Sequence, residues 1–278
     1  MTESPTAIEI VRPPRGVRPE LAIFDFDGTL SLIRAGWQSV MVPMMVEHLE
    51  ALGTGRSRED LRALAADDVA QSSGRLTIHQ MIGLARRVAE LGGAPLDPHE
   101  YKAEYGRRLL RHIAGRREAL ASGRAAPDEM LVAGSRAILA ALAEAGITLA
   151  LFSGTDEPYV REEARLLDID RYFGPHIYGA LDDYEASEKR QVVARLLAAS
   201  GVAGERLLVF GDDFVEIEAV KAAGGYAVGV ASDESAWGGR TVAAKRERLL
   251  RAGADMIIRD FAEHRAIARL LVPELGRA

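Results

Sequence analysis

The chain has 278 residues, 48% hydrophobic and 27% charged, enough for one large domain or two modest ones with a core of their own. It has no cysteine, which excludes disulfide frameworks, thiolate zinc sites and cysteine nucleophiles. Its 41 acidic against 35 basic residues, net −6, argue against a general nucleic-acid binder.

Residues 1–19 form a predicted N-terminal tail around Pro13 and Pro14, with a short strand allowed over 7–11 and no apolar stretch of the signal-peptide kind. No window approaches the roughly 18 apolar residues of a membrane span, so the expectation is a cytoplasmic protein without a membrane partner. Residues 21–24 (Leu-Ala-Ile-Phe) form a compact apolar run before Asp25, the pattern of a buried parallel strand. From about 34 to 125 the period turns helical, with helices predicted over 37–52, 58–66, 77–91 and 98–120. Ser57 with Asp60, and Thr77 with Gln80, have N-cap spacing, and Gly92-Gly93 is a helix stop.

After Pro127 strands and helices alternate. Helices are predicted over 130–144, 157–167, 187–199, 215–223, 240–252 and 261–271. Strands are predicted over 147–152, 176–178, 207–210, 226–230 and 255–258. Such alternation predicts an α/β fold, a Rossmann-like parallel sheet sandwiched by helices. The first strand is separated from its partners by the helical block. The expected organisation is therefore a core of 20–33 and 130–278 interrupted by an all-helical insertion, 34–129.

The chemistry concentrates at strand ends, where open α/β sheets place their sites. Asp25-Phe26-Asp27-Gly28-Thr29-Leu30 puts two carboxylates side by side, and these repel unless a cation or a shared proton separates them. The strand over 207–210 leads into Gly211-Asp212-Asp213, with Glu216 one helical turn beyond Asp212. Acidic side chains converging without His or Cys suit a hard ion such as Mg²⁺. Asp213 reads equally as a helix cap. Ser153-Gly154-Thr155, after the strand over 147–152, fits a phosphate cradle or a simple cap. Lys189 opens a helix, where a cation opposes the helix dipole, and this points to a task outside the helix. Together these parts suit phosphoryl transfer, with an attacking carboxylate, a proton-moving carboxylate and a charge-offsetting cation.

The order DFDGTL, FSGT, Lys189 and FGDDFVE resembles the four motifs of the haloacid dehalogenase superfamily, over about 20–33 and 130–278. The resemblance implies Asp25 as nucleophile, Asp27 as general acid/base, and Lys189 neutralising the nucleophile and the phosphoryl group. It implies phosphate contacts from Ser153 and Gly154, and Thr29 as a first-motif residue at the phosphate-binding turn. The Mg²⁺ ligands would be Asp25, Asp27 through its backbone carbonyl, and Asp212. The usual fourth motif, GDxxxD, here ends in Glu216, so the last ligand is either Glu216 or Asp213. The segment over 222–230 also resembles the stretch downstream of that motif, and the helical insertion resembles a cap placed after the nucleophile strand.

The implied activity is Mg²⁺-dependent hydrolysis of a small phosphorylated metabolite, a sugar or polyol phosphate, through an aspartyl-phosphate intermediate. A phosphomutase with the same nucleophile and a catalytically silent phosphate-binding regulator stand as alternatives. Dehalogenase chemistry has no use for Asp27. A homodimer pairing through the cap is left open. Trp37 and the polar loop over 71–75 are candidates to line the cap–core cleft. The cation-rich segment over 101–124 is either a solvated face or an anion-drawing surface. Trp237-Gly238-Gly239 reads as a loop without an assigned role.

Overall fold

In the computed structural model, which describes residues 7–181, 188–234 and 242–276, the apolar runs become the strands of one seven-stranded sheet. In chain order these are β1 (Ile8–Ile10), β2 (Leu21–Asp25), β3 (Thr148–Asp156), β4 (Ile177–Ala180), β5 (Leu207–Gly211), β6 (Tyr226–Val230) and β7 (Met256–Ile258). Their order across the sheet is β1-β7-β6-β5-β2-β3-β4, all parallel except β1, which runs antiparallel to β7. The tail expected over 1–19 thus contributes the edge of the sheet, Ile8–Ile10. β2 lies between β5 and β3, so the chain order reverses beside it. That is where a doubly wound sheet opens a crevice beyond its carboxyl ends.

Ten helices stand among the described residues. The first four are α1 (Gln38–Glu50), α2 (Arg58–Gln71), α3 (Thr77–Glu90) and α4 (Pro98–Ala121). The others are α5 (Ser135–Glu144), α6 (Glu157–Leu166), α7 (Lys189–Ser200), α8 (Phe214–Ala222), α9 (Ala243–Arg251) and α10 (His264–Leu271). The predicted residues Ser187, Arg240 and the Trp237-Gly238-Gly239 loop lie outside the described residues.

All five residues of β2 are buried, and its alternation divides the core. Ala22 and Phe24 face α5 and α10, with Phe24 stacked on Phe210 at 4.6 Å between ring centroids. Leu21 and Ile23 face α7 and α8 through Val192, Val193, Leu196, Ile217 and Val220. Burial on both faces is what lets a run as short as 21–24 stand at the centre of a sheet. Helices α1 to α4 bury their own apolar stripes at helical spacing, among them Met41, Met45 and Leu49 on α1 and Tyr101, Tyr105, Leu109 and Ile113 on α4.

The chain leaving β2 for the helices and the chain returning from them run side by side. The Leu32 N–H donates to Met130 O at 2.8 Å and the Val132 N–H to Leu30 O at 2.9 Å. This strap corrects the helix predicted over 130–144. Met130 ends a short 3-10 turn, Leu131 is extended, the chain then turns through Gly134 at φ +78°, and α5 starts only at Ser135. Nearby, Arg34 forms a buried two-pronged pair with Glu163 of α6, at 2.9 and 2.8 Å. The 101–124 segment is extensively paired. Lys102 binds Asp156, Arg117 binds Glu162, and Arg108 binds Glu47 and Glu104, so these cations tie the helices to each other and to the sheet half.

Two further expectations change. Ser57 caps α2 by accepting from the Asp60 N–H at 3.1 Å, but Thr77 is not a cap: Leu76 holds that position and the Thr77 hydroxyl donates to Gly154 O at 3.4 Å. β3 does not turn after Phe152. It continues to Asp156 through a register shift against β4, so Ser153, Gly154 and Thr155 lie on extended backbone.

Gly134→Ala is expected to destabilise the protein by about 2–4 kcal/mol in urea unfolding, because it forces a left-handed residue and aims a methyl at the Phe261 carbonyl, 2.0 Å from the new Cβ. Gly106→Ala, with open space at its Cβ in α4, should instead stabilise by about 0.5–1 kcal/mol. Arg34→Met strands the buried Glu163 carboxylate and should cost about 3–5 kcal/mol, most of it recovered in an Arg34→Met/Glu163→Leu double variant.

Candidate active site

Asp25 ends β2 and Asp212 follows β5. Because these strands are hydrogen-bonded neighbours with Phe24 opposite Phe210, the two carboxylates emerge together at the carboxyl edge of the sheet. Glu216, on the first turn of α8, reaches the same point. Ligand oxygens of Asp25, Asp212 and Glu216 all lie within 4.8 Å of one another. Lys189, the first residue of α7, is buried and donates to Asp25 Oδ1 at 2.5 Å and Glu216 Oε2 at 2.9 Å. The task suggested by its unfavourable place on the helix dipole is this bridge.

Electrostatics follow from the count of charges. Burial pushes Asp25 well above the usual carboxylate range, opposed by Lys189 and reinforced by Glu216 and Asp212. Glu216 is raised by burial for the same reason. Burial disfavours the Lys189 ammonium, but its two carboxylate partners outweigh that and hold its proton firmly. One ammonium shared by Asp25 and Glu216 undercompensates the cluster. A hard, oxygen-only donor set short of positive charge fits a divalent ion such as Mg²⁺.

Asp27 stands outside that cluster. Its Oδ2 accepts from Ser153 Oγ at 3.0 Å and Thr155 Oγ1 at 3.3 Å, while its buried Oδ1 has no hydrogen-bond partner and lies 4.0 Å from Arg34 Nε. Burial pushes its pKa up to about 6, with Arg34 opposing. The turn around it depends on Gly28, at φ +80°, where a Cβ would lie 2.4 Å from Asp212 Oδ2.

The remaining expected residues divide. Ser153 is buried with its hydroxyl committed to Asp27 and to the Thr155 N–H. Gly154 lies at the cavity, and a Cβ there would stand 2.8 Å from the Arg75 carbonyl, so glycine permits the helical segment to close on β3. Thr29 is fully buried with its hydroxyl unpartnered and is not among the residues lining the cavity. Asp213, the alternative last ligand, caps α8, accepting from the Phe214 N–H at 2.8 Å and from the Ser73 hydroxyl. Burial raises its pKa.

Sequence reasoning missed Arg34 and its partner Glu163, and also Lys245 of α9, which donates to Asp212 Oδ2 at 2.7 Å. Each reads in the sequence as an ordinary surface charge, and only burial sets it apart. Asp25, Asp27, Lys189 and Asp212 share one cavity with Trp37, Tyr105 and the Ser73-Gly74-Arg75 loop from the helical segment.

A haloacid dehalogenase-like hydrolase family model matches residues 19–224, whereas no curated protein matches the chain. Among solved structures, similar folds include a predicted phosphoglycolate phosphatase from Haemophilus somnus, at 20% identity and TM-score 0.56, covering 90% of this chain and 98% of that one. CbbY from Rhodobacter sphaeroides in complex with xylulose-1,5-bisphosphate is similar at 21% identity and TM-score 0.56, over 88% and 96% of the two chains. A hydrolase from Deinococcus radiodurans with bound phosphate and sodium is similar at 20% identity and TM-score 0.52, over 93% and 96%. At these identities the likeness is one of fold. With the family model spanning both acidic strand ends and Lys189, the chain belongs to the haloacid dehalogenase-like hydrolases.

Proposed function

We propose that the chain is a Mg²⁺-dependent phosphatase acting on a small phosphorylated metabolite, a sugar or polyol phosphate, through an aspartyl-phosphate intermediate. The observation that carries this reading is the buried Asp25–Lys189 pair opening onto the same cavity as Asp27. Phosphate and a sugar bisphosphate bound to similar folds agree with it.

Asp25 attacks phosphorus through a carboxylate oxygen, and the bond to the substrate oxygen breaks. Asp27, whose pKa of about 6 leaves a protonated fraction near neutrality, delivers its proton to the departing alkoxide. Asp27 then removes a proton from water, which attacks phosphorus, releases phosphate and restores Asp25. Ser153 and Thr155 hold the Asp27 carboxyl in place for both transfers. Lys189 keeps Asp25 oriented and offsets phosphoryl charge. Asp25, Asp212 and Glu216 with the Asp27 backbone carbonyl would hold Mg²⁺, which would supply further neutralisation of phosphoryl charge.

The helical segment, residues 34–129, acts as a cap over a core formed by 20–33 and 130–278. Trp37, Tyr105 and Ser73 reaching the cavity support that division, and cap residues would then exclude water and select the leaving group. The protein works in the cytoplasm. Among the described residues no helix is long and apolar enough to cross a membrane.

Phosphate release across sugar phosphates, nucleotides, phosphoglycolate and amino-sugar phosphates tests the reading directly. Activity should need Mg²⁺ and vanish with EDTA, and Asp25→Asn should lose about 10³-fold or more. Absence of phosphate release together with a sugar-bisphosphate requirement would instead indicate a phosphomutase.

Asp27→Asn should still give a burst of p-nitrophenolate from p-nitrophenyl phosphate, whose leaving group needs no proton, and then stall. Turnover of alkyl phosphates should fall by about 10²–10⁴-fold in that variant.

A further inference from the structure

Sharing Asp212 with the carboxylate cluster is a second buried ion group whose lysine and glutamate, Lys245 and Glu234, have no part in the proposed mechanism. Lys245 is only 9% exposed, and its ammonium donates to Asp212 Oδ2 at 2.7 Å and to Glu234 Oε1 at 3.0 Å. The Asp27–Gly28 turn packs directly on this group: a Cβ at Gly28 would lie 2.4 Å from Asp212 Oδ2 and 2.9 Å from Glu234 Oε1. Asp212 therefore faces two demands, the ion expected at the cluster and the lysine already on it.

A buried ammonium on a ligand carboxylate lowers the charge that an incoming cation meets and fixes the carboxylate's rotation. Glu234, sharing the same ammonium, draws part of its charge away from Asp212. We propose that Lys245 is a counter-ion that sets the divalent-cation affinity of the site through Asp212, with Glu234 setting how strongly the lysine bears on it. This inference rests on the reading that Asp25, Asp212 and Glu216 take a divalent ion. Lys245 is a positioning residue: it is not among the residues lining the cavity that holds Asp25 and Asp27.

The test is Mn²⁺ binding to the full chain, read from the free-Mn²⁺ electron paramagnetic resonance signal without substrate. Lys245→Gln should tighten binding by about five-fold, and Glu234→Gln should weaken it by a similar factor, because the lysine then bears wholly on Asp212. Lys245→Arg, which keeps the charge, should stay within about two-fold of the unsubstituted protein. Opposite shifts in the first two variants are not expected from general loosening of the site. Unchanged or weaker binding in Lys245→Gln, or shifts in the same direction in both, overturns the inference while leaving the metal site intact. If Lys245→Gln does not fold, Glu234→Gln decides: unchanged or tighter binding overturns the proposal. No Mn²⁺ binding to the unsubstituted protein overturns the metal reading and this inference with it.

Discussion

Carboxylates that share a buried strand edge repel one another, and the core half is arranged around that repulsion. Placing β5 beside β2 brings Asp25 and Asp212 together, and α8 adds Glu216. Two lysines from separate helices answer them, Lys189 between Asp25 and Glu216 and Lys245 between Asp212 and Glu234. Four carboxylates against two ammonium groups still leave an excess of negative charge in a poorly solvated place. That imbalance is the physical ground on which the cluster could take up a divalent ion.

Asp27 works under a different constraint. Only its Oδ2 is hydrogen-bonded, while Oδ1 sits buried with Arg34 just beyond hydrogen-bond reach. Arg34 is already committed to Glu163, so it tempers Asp27 without neutralising it. Two carboxyl groups two residues apart thus acquire different surroundings, a lysine for one and hydroxyls for the other. In the proposed mechanism that difference is what assigns phosphorus to Asp25 and protons to Asp27.

Much of this was legible in the chain. The buried strand at 21–24, the alternation after 130 and the acidic strand ends follow from period-2 burial and from where open sheets put polar residues. Lys189 was legible because it violates the helix dipole. What stayed hidden depends on tertiary burial. Arg34, Glu163, Lys245 and Glu234 look like surface charges, since partners 129 and 11 residues away leave no local mark. Thr77 was misread because its hydroxyl serves β3 across the cleft rather than its own helix. α5 starts later than the helical period suggests because the strap between Leu30–Leu32 and Met130–Val132, a pairing distant in sequence, ties Met130 and Val132 to the outgoing chain.

Asp213 joins two regions that the chain keeps far apart. One of its oxygens terminates α8, next to Asp212, and the other receives Ser73 from the loop between α2 and α3. Gly74 lies against the same carboxylate, 2.7 Å from its Cβ if a methyl were added. The clasp on the helical half is therefore fastened to the very backbone that aims Asp212 into the acidic cluster. A shift of that loop would therefore be passed through Asp213 to the backbone beneath it, so under the proposed function selectivity and reactivity would be geared together.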